Sequence, residues 1–273
     1  MDHPENILTM SKKFLLLLLC PLLLAGSLRA ETSNPVDPLA LSLLKRMSDT
    51  LASAKRFSFR SESILEIPCA TGQFVTILSE GKVSVQRPDK IRASYTGETH
   101  SFDFFYDGKT VTAVAPNAKV FSTASAPDNI DDMLAGIRAE TGIHFHSAPL
   151  LLSNSYAHLT RNLQSAVIVG PTHVHGVPCD HLAFRSTGVN WELWISSGRV
   201  ALPYRLAATF TDEPNLPRKF ITFSAWNLHP WLQSSLFAFK HPKDFHEIPF
   251  KAVIKDARQE ALRGANQEPQ VRN

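Results

Sequence analysis

The stretch "RFSFRSESILEI", residues 56–67, decides the fold of this chain. Phe57 and Phe59 alternate with Arg56, Arg60 and Glu62, so apolar and charged side chains take opposite sides of an extended backbone. Such alternation is typical of a strand with one buried and one solvated face. The sequence therefore predicts that a β-sheet begins here.

A helix is predicted immediately before this strand. Leu39, Leu43, Met47 and Leu51 recur at helical spacing, and Asp37 is placed to cap the first turn. Leu44 lies beside them and Pro38 fits the first turn, so an amphipathic helix of about four turns is expected.

Further alternating segments follow at short, even spacing. Turn pairs such as Asp107-Gly108 and Pro116-Asn117 separate them and predict an antiparallel meander of about six strands. A second run of strands begins near residue 163, which brings the total to about eleven. Between the two runs a helix is expected at residues 130–137, capped by Asp128 or Asn129, with a narrow apolar stripe. The fold class is mainly β with a helical lid (α+β).

So many strands favour a sheet that curls on itself. Closure removes exposed edges, and a barrel of about eleven strands leaves an interior wider than its side chains fill unless helices plug it. Because few helices are predicted, we expect an apolar cavity that binds a hydrophobic ligand. The residues expected to line it are Phe57, Phe59, Phe104, Leu182, Phe184, Trp191, Leu193 and Phe210.

The stretch "HVHGVPCDHLAFR", residues 173–185, offers a competing interpretation. Zinc is bound by His and Cys side chains, so His173, His175 and His181 suggest a zinc-dependent hydrolase, with "IHFH" (143–146) as a further source of ligands. The other interpretation is a β-hairpin in which Gly176 lies in the turn and Leu182 is sheet core. Asp131 and Asp132 are better explained by helix capping than by acid–base catalysis.

The N-terminal residues have the pattern of a targeting segment. Two lysines precede "FLLLLLCPLLLA" (14–25), which is too short to span a bilayer but typical of a signal-peptide core. We predict a signal peptide at residues 1–30, a single domain at 31–250 and a polar tail at 251–273. Leu19 before Cys20 disfavours an outer-membrane lipoprotein, and a periplasmic protein is expected.

Charge, sequence motifs and cysteine content limit the kinds of partner, cofactor and covalent cross-link that are expected. The formal net charge of +3 comes without a basic block, so no nucleic-acid partner is indicated. No phosphate-loop or dinucleotide motif is present, and no cofactor is expected. In an oxidising compartment Cys69 and Cys179 could pair in a disulfide or remain separate thiols.

Short motifs, mostly in the C-terminal half, resemble those of the DUF2092 family of exported bacterial proteins. They are "GVPCDHLAFR" (176–185), "VNWELWI" (189–195), "LPYRL" (202–206), "FSAWNL" (223–228) and "LFAFKHP" (236–242), with "RPDKIRA" (87–93) and "YDGKTVT" (106–112) in support. The likeness runs from about residue 37 to residue 249.

The resemblance implies the fold of the periplasmic lipoprotein carriers LolA and LolB, an unclosed antiparallel β-barrel of about eleven strands lidded by helices. It implies an apolar pocket for a lipid or acyl chain and no catalytic residues. His181 and Trp194 fall on recurring family positions, without a role that carries over. The expected function is a non-catalytic periplasmic binder or carrier of a hydrophobic ligand, with the zinc hydrolase and a cell-envelope protein-interaction module as alternatives.

Overall fold

The computed structural model describes residues 35–69, 72–98, 101–141 and 147–249. The predicted signal peptide (1–30) and polar tail (251–273) lie outside these residues. The "IHFH" histidines, His144 and His146, lie outside them as well.

Three α-helices accompany the sheet. They are α1 (Pro38–Ser53), α2 (Ile130–Thr141) and α3 (Ser155–Thr160), and short 3-10 helices occur at Pro116–Ala118, Ala148–Leu151 and Ser234–Leu236. Capping follows the sequence expectations, because the Leu39 N–H donates to Asp37 Oδ1 over 2.8 Å and the Asp132 N–H donates to Asn129 Oδ1 over 2.9 Å. No helix in the described ranges combines the length and hydropathy needed to cross a bilayer.

The strands form a single twelve-stranded sheet. They are β1 (Arg56–Pro68), β2 (Phe74–Gln86), β3 (Lys90–Gly97), β4 (Ser101–Tyr106), β5 (Thr110–Ala115), β6 (Val120–Ser125), β7 (Leu163–Val174), β8 (Val177–Ser186), β9 (Val189–Ser196), β10 (Pro203–Phe210), β11 (Arg218–Asn227) and β12 (His246–Glu247). Their spatial order is β12-β6-β5-β4-β3-β2-β1-β11-β10-β9-β8-β7. Two meanders, β1–β6 and β7–β11, thus meet where β1 pairs with β11.

The sheet does not close. In the described part of the chain its end strands are β12 and β7, which pair with no strand of the sheet on their far sides. Only an isolated bridge, Val36 to Ala166, covers part of β7. The predicted unclosed antiparallel architecture, mostly β with few helices, is therefore confirmed; the two-residue β12, parallel to β6, raises the count from about eleven to twelve.

The buried side of α1 differs from the prediction. Leu39 is 58% exposed and Leu43 only partly buried, whereas Ala40, Leu44, Met47 and Leu51 are fully buried. Leu44, Met47 and Leu51 are thus buried as predicted, whereas Leu39 and Leu43 were wrongly placed in the stripe. The chain before the helix is tied to β7, because the Asp37 N–H donates to the Ala166 carbonyl and the Ala166 N–H donates to the Pro35 carbonyl. This long-range constraint, which periodicity does not contain, sets the rotation of the helix.

One side of the sheet, here called the inner face, packs against the helices. It carries Phe57 and Phe59 of β1 and Phe223 of β11, all in one core cluster with the α1 residues. A bulge in β11 breaks the alternation, because Ala225 adopts a positive φ of 51° opposite Ser58 and Arg60. The bulge turns Trp226 to the same side as Phe223, although the two are three residues apart.

Of the two alternatives left open for Cys69 and Cys179, the structure has the separate thiols and no disulfide between them. The sheet explains why. Cys69 follows the end of β1, and Cys179 lies at the start of β8, with β11, β10 and β9 between the two strands. A disulfide needs Cα atoms within about 7 Å, less than the width of the three intervening strands.

Candidate functional site

The eight residues predicted to line a cavity all belong to the inner face or its border. Seven are buried, and Phe210 is partly buried against the same core. Aromatic contacts fill this side of the sheet: Phe59 meets Phe223 edge-on at 5.6 Å between ring centres, and Phe184 stacks on Trp191 at 4.0 Å. The eight side chains thus lie in a packed core beneath the helices.

Two surface pockets occur elsewhere. One, of about 330 Å³, lies between β4–β5 and the C-terminal segment around Phe239. The other, of about 380 Å³, opens on the side of the sheet away from the helices, here called the outer face. Neither is lined by any of the eight residues, because the helices and aromatic rings occupy the space above them.

The helices are tied together by polar contacts at one place, here called the lid junction: Ser48, Arg87, Asp131, Leu152, Ser153 and Ser155. Ser48 of α1 and Ser155 of α3 share a hydrogen bond between their hydroxyls at 2.8 Å, and the Tyr156 N–H donates to Ser48 Oγ over 2.9 Å. The Ser153 N–H donates to the Asp131 carboxylate of α2 over 3.0 Å. Side-chain hydrogen bonds therefore join α1 to α3, and α2 to the segment just before α3.

Arg87 connects the lid junction to the sheet, since it directly follows β2. Its guanidinium donates to the Leu152 carbonyl over 3.2 Å and approaches the Leu51 carbonyl of α1 at 3.5 Å, above the Phe57 ring. Its Nε is buried without a hydrogen-bond partner in the described ranges. Burial lowers the pKa of the Arg87 guanidinium, and the charge of Asp131 opposes that effect.

Lys219 is the charged residue that the fold turns toward the inner face of β11. It alternates with the buried Ile221 and Phe223, and its cross-strand neighbours are Leu65 and Ala208. Burial in this surrounding lowers the pKa of Lys219 to about 8.

The lowered pKa gives a pH-dependent stability. Between about pH 8 and pH 10.5 the unfolded chain binds more protons at Lys219 than the native protein, so stability rises with pH in this window. Lys219→Met should remove that rise and should stabilise the protein by about 1–3 kcal/mol at neutral pH. Urea unfolding across the window measures both, with Lys82→Met on the exposed side of β2 as the control. A stability gain from Lys219→Met that stays constant with pH would contradict the prediction.

The three histidines of the zinc hypothesis lie around the outer pocket. His173 and His175 line it, at the hairpin that joins β7 and β8, and His181 stacks on Trp194, which also lines it. The His181 Nε2 contacts the Glu192 carboxylate at 2.8 Å. In the described ranges no group of three or more His, Cys, Asp or Glu side chains converges as metal ligands do. The histidines are thus neighbours without a ligand geometry.

Several residues of these sites escaped the sequence analysis. Arg87, Arg205 and Arg218 were given no role there. Strict alternation along β11 would also put Trp226 and Phe223, three residues apart, on opposite faces, and only the bulge brings them to the same side. The sequence holds one feature that could have revealed the outer-face residues: arginines and aromatic residues on the outward side alternate from one strand to the next. That pattern can be recognised only once the strand register is known.

This chain is similar to known proteins in both sequence and fold. The model of the DUF2092 family, described as predicted periplasmic proteins, matches residues 40–251. No curated protein matches this chain.

Solved structures similar to it include LprF from Mycobacterium bovis, with 13% identity over 77% of this chain and 99% of that one and a TM-score of 0.42. LppX from Mycobacterium tuberculosis has 10% identity over 70% and 96%, with a TM-score of 0.37. A LolA superfamily protein from Nitrosomonas europaea has 9% identity over 73% and 97%, with a TM-score of 0.35.

Proposed function

The chain belongs to the DUF2092 family of predicted periplasmic proteins, and from this premise we propose that it is a non-catalytic binder or carrier of a lipid or acyl chain. The periplasmic location predicted from the sequence is confirmed by the family. The proposal includes export by the signal peptide at residues 1–30 and a single domain at 31–250 followed by a polar tail at 251–273.

One observation carries the proposal: the apolar inner face of an open sheet is covered by three short helices that meet at a polar junction. The face is continuous across many strands, from Phe104 of β4 through Phe57 and Phe223 to Phe184 of β8. Hydrogen bonds such as Ser48–Ser155 can break and reform without loss of fold, since their groups find water when exposed. We therefore infer that α2, α3 and the 3-10 helix between them form a lid that moves aside for the ligand.

Energetics favour an acyl chain as the occupant. Each methylene buried contributes about 0.8 kcal/mol, so a long chain gains enough to offset the ordering cost of binding and the contacts that the lid gives up. The leucine and phenylalanine side chains of the inner face present no fixed polar partner, which suits a flexible hydrocarbon better than a polar metabolite. Leu182, Leu193 and Trp191 are proposed to contact it.

Lys219 indicates which kind of end group the ligand carries. An ammonium at the inner face would pair with a carboxylate or phosphate at one end of the ligand, and the pKa near 8 keeps it mostly protonated at neutral pH. A fatty acid or acidic lipid is therefore favoured over a neutral one of the same length.

The experiment is a binding test on protein purified from the periplasm under native conditions. Mass spectrometry of an organic extract should detect a lipid, and a fluorescent fatty acid should be taken up with saturation. Wild-type protein should prefer a fatty acid over the fatty alcohol of equal length by about tenfold, and Lys219→Met should lose this preference while it still binds both.

Other outcomes count against the proposal. No extracted lipid together with no uptake would reject it. A co-purifying protein without lipid would favour the envelope interaction module. One tightly held zinc per chain, lost in His181→Ala, would favour the hydrolase.

A further inference from the structure

The outer face of β8–β11 carries a row of stacked rings and cations. His181 lies flat on Trp194 with ring centres 4.0 Å apart and planes 10° apart. Arg205 follows, with its Cζ 5.6 Å from the Trp194 ring centre and 5.5 Å from that of Phe220. Arg218 completes the row, 4.7 Å from the Phe220 ring centre.

The strand register builds this row. His181 is directly opposite Trp194, and Trp194 is opposite Arg205 on the next strand. Phe220 and Arg218 are two residues apart on β11 and therefore share the outer face. The side chains come from four adjacent strands of a rigid sheet, so their positions are fixed without the help of a loop.

The guanidinium groups of the two arginines are unpaired in the part of the chain that the structure describes. No hydrogen bond or ion pair joins the side chain of Arg205 or Arg218 to another group there, and the Nε of Arg205 is buried without a partner. Two carboxylates lie nearby: Glu192 contacts His181, and Glu66 of β1 is directly opposite Arg218 without an ion pair to it. A buried donor on a charged group costs free energy until an acceptor arrives.

These cations surround a cavity of suitable size. The pocket of about 380 Å³ is lined by Arg205, Arg218, Glu192 and Trp194 together with His173 near the end of β7 and His175 of the β7–β8 turn. The turn has positive φ at His175 (47°) and Gly176 (79°), as a tight two-residue hairpin requires, and it places both histidines at the rim. The site thus offers two guanidinium forks and imidazole donors around an open space.

We propose that this outer-face pocket binds a phosphate group. Guanidinium forks match phosphate oxygens with paired N–H donors, and the aromatic rings hold them in place while leaving those donors available. The phosphate is that of a small phosphate ester or of an acidic lipid headgroup. The site is separate from the inner face and does not depend on the lipid-carrier proposal.

The test is isothermal titration calorimetry of the full exported protein with inorganic phosphate and with glycerol phosphate. Saturable binding is expected, and Arg205→Met should weaken it by about tenfold or more, because hydrogen bonds to charged groups contribute about 1.5–3 kcal/mol. Arg218→Met, at an exposed position, should weaken it as well without a change in the melting temperature. Arg60→Met is the matched control, an exposed arginine outside the pocket.

Vesicles distinguish the two sources of phosphate. Sedimentation with phosphatidylcholine vesicles that contain phosphatidic acid, but not with phosphatidylcholine alone, assigns the site to a lipid headgroup if Arg218→Met abolishes it. Binding of glycerol phosphate without sedimentation assigns it to a soluble ester. The proposal is overturned if no phosphate probe binds, or if wild type, Arg205→Met and Arg218→Met bind phosphate equally. Fatty-acid uptake should be unchanged in both variants, because the phosphate site is separate from the inner face.

Discussion

Phe223→Ala is expected to lower the free energy of unfolding by about 3–5 kcal/mol. The Phe223 ring is fully buried at the junction of the two meanders, where it meets Phe59 at 5.6 Å and Trp226 at 6.1 Å between ring centres. Removing it leaves a cavity that the sheet, pinned by the β1–β11 pairing, can only partly collapse. Urea unfolding monitored by circular dichroism measures the loss.

Phe74→Ala is the control for this measurement. Phe74 begins β2 and is 48% exposed, so its replacement should cost less than about 1 kcal/mol. Equal losses at the two positions would show that the inner face is not the main core of the protein.

Arg87→Met is expected to raise the rate of fatty-acid uptake by about tenfold to a hundredfold. The substitution keeps a long apolar stem over Phe57 but removes the hydrogen bond to the Leu152 carbonyl and the approach to the Leu51 carbonyl. Hydrogen bonds of a charged donor contribute about 1.5–3 kcal/mol, and each 1.4 kcal/mol changes a population about tenfold. A lid held by this contact would therefore open more often.

Stopped-flow mixing with a fluorescent fatty acid measures the effect, and Arg60→Met provides a control in which an arginine without lid contacts is lost. A global unfolding curve should be recorded alongside, because a lid effect changes uptake far more than overall stability. Uptake at the wild-type rate in Arg87→Met would contradict the lid as proposed, while leaving lipid binding itself intact.

Local patterns predicted much of the architecture. Alternation in residues 56–67 identified β1, and Asp37 and Asn129 were recognised as helix caps because a cap depends on contacts within one turn. The α1 stripe was displaced at Leu39 and Leu43, since the rotation of the helix depends on Val36 and its bridge to β7. The twelfth strand was missed because a strand of two residues is too short to show an alternating pattern of apolar and polar side chains.

The candidate sites could also be predicted only as far as local sequence patterns reach. Leu182 and Phe184 could be assigned to one face from alternation, but that they lie beneath helices rather than around an open cavity depends on where α1, α2 and α3 come to rest. The three histidines could be seen in the sequence, whereas their failure to converge is a property of strand twist and side-chain direction. The residues that now matter most, Arg87, Arg205 and Lys219, had no local signal.

The amino-acid sequence by itself determined the strands β1–β11, the turns between them and the helix caps, because each of these follows from residues close together in the chain. Only the tertiary structure decided that β1 pairs with β11, that a bulge at Ala225 brings Trp226 into the core and that Arg205 lies between Trp194 and Phe220. Each of these features depends on strand pairs, namely β1 with β11, β9 with β10 and β10 with β11. Pairing between segments that are distant in the chain is set by the packing of the whole molecule, not by any one stretch of sequence.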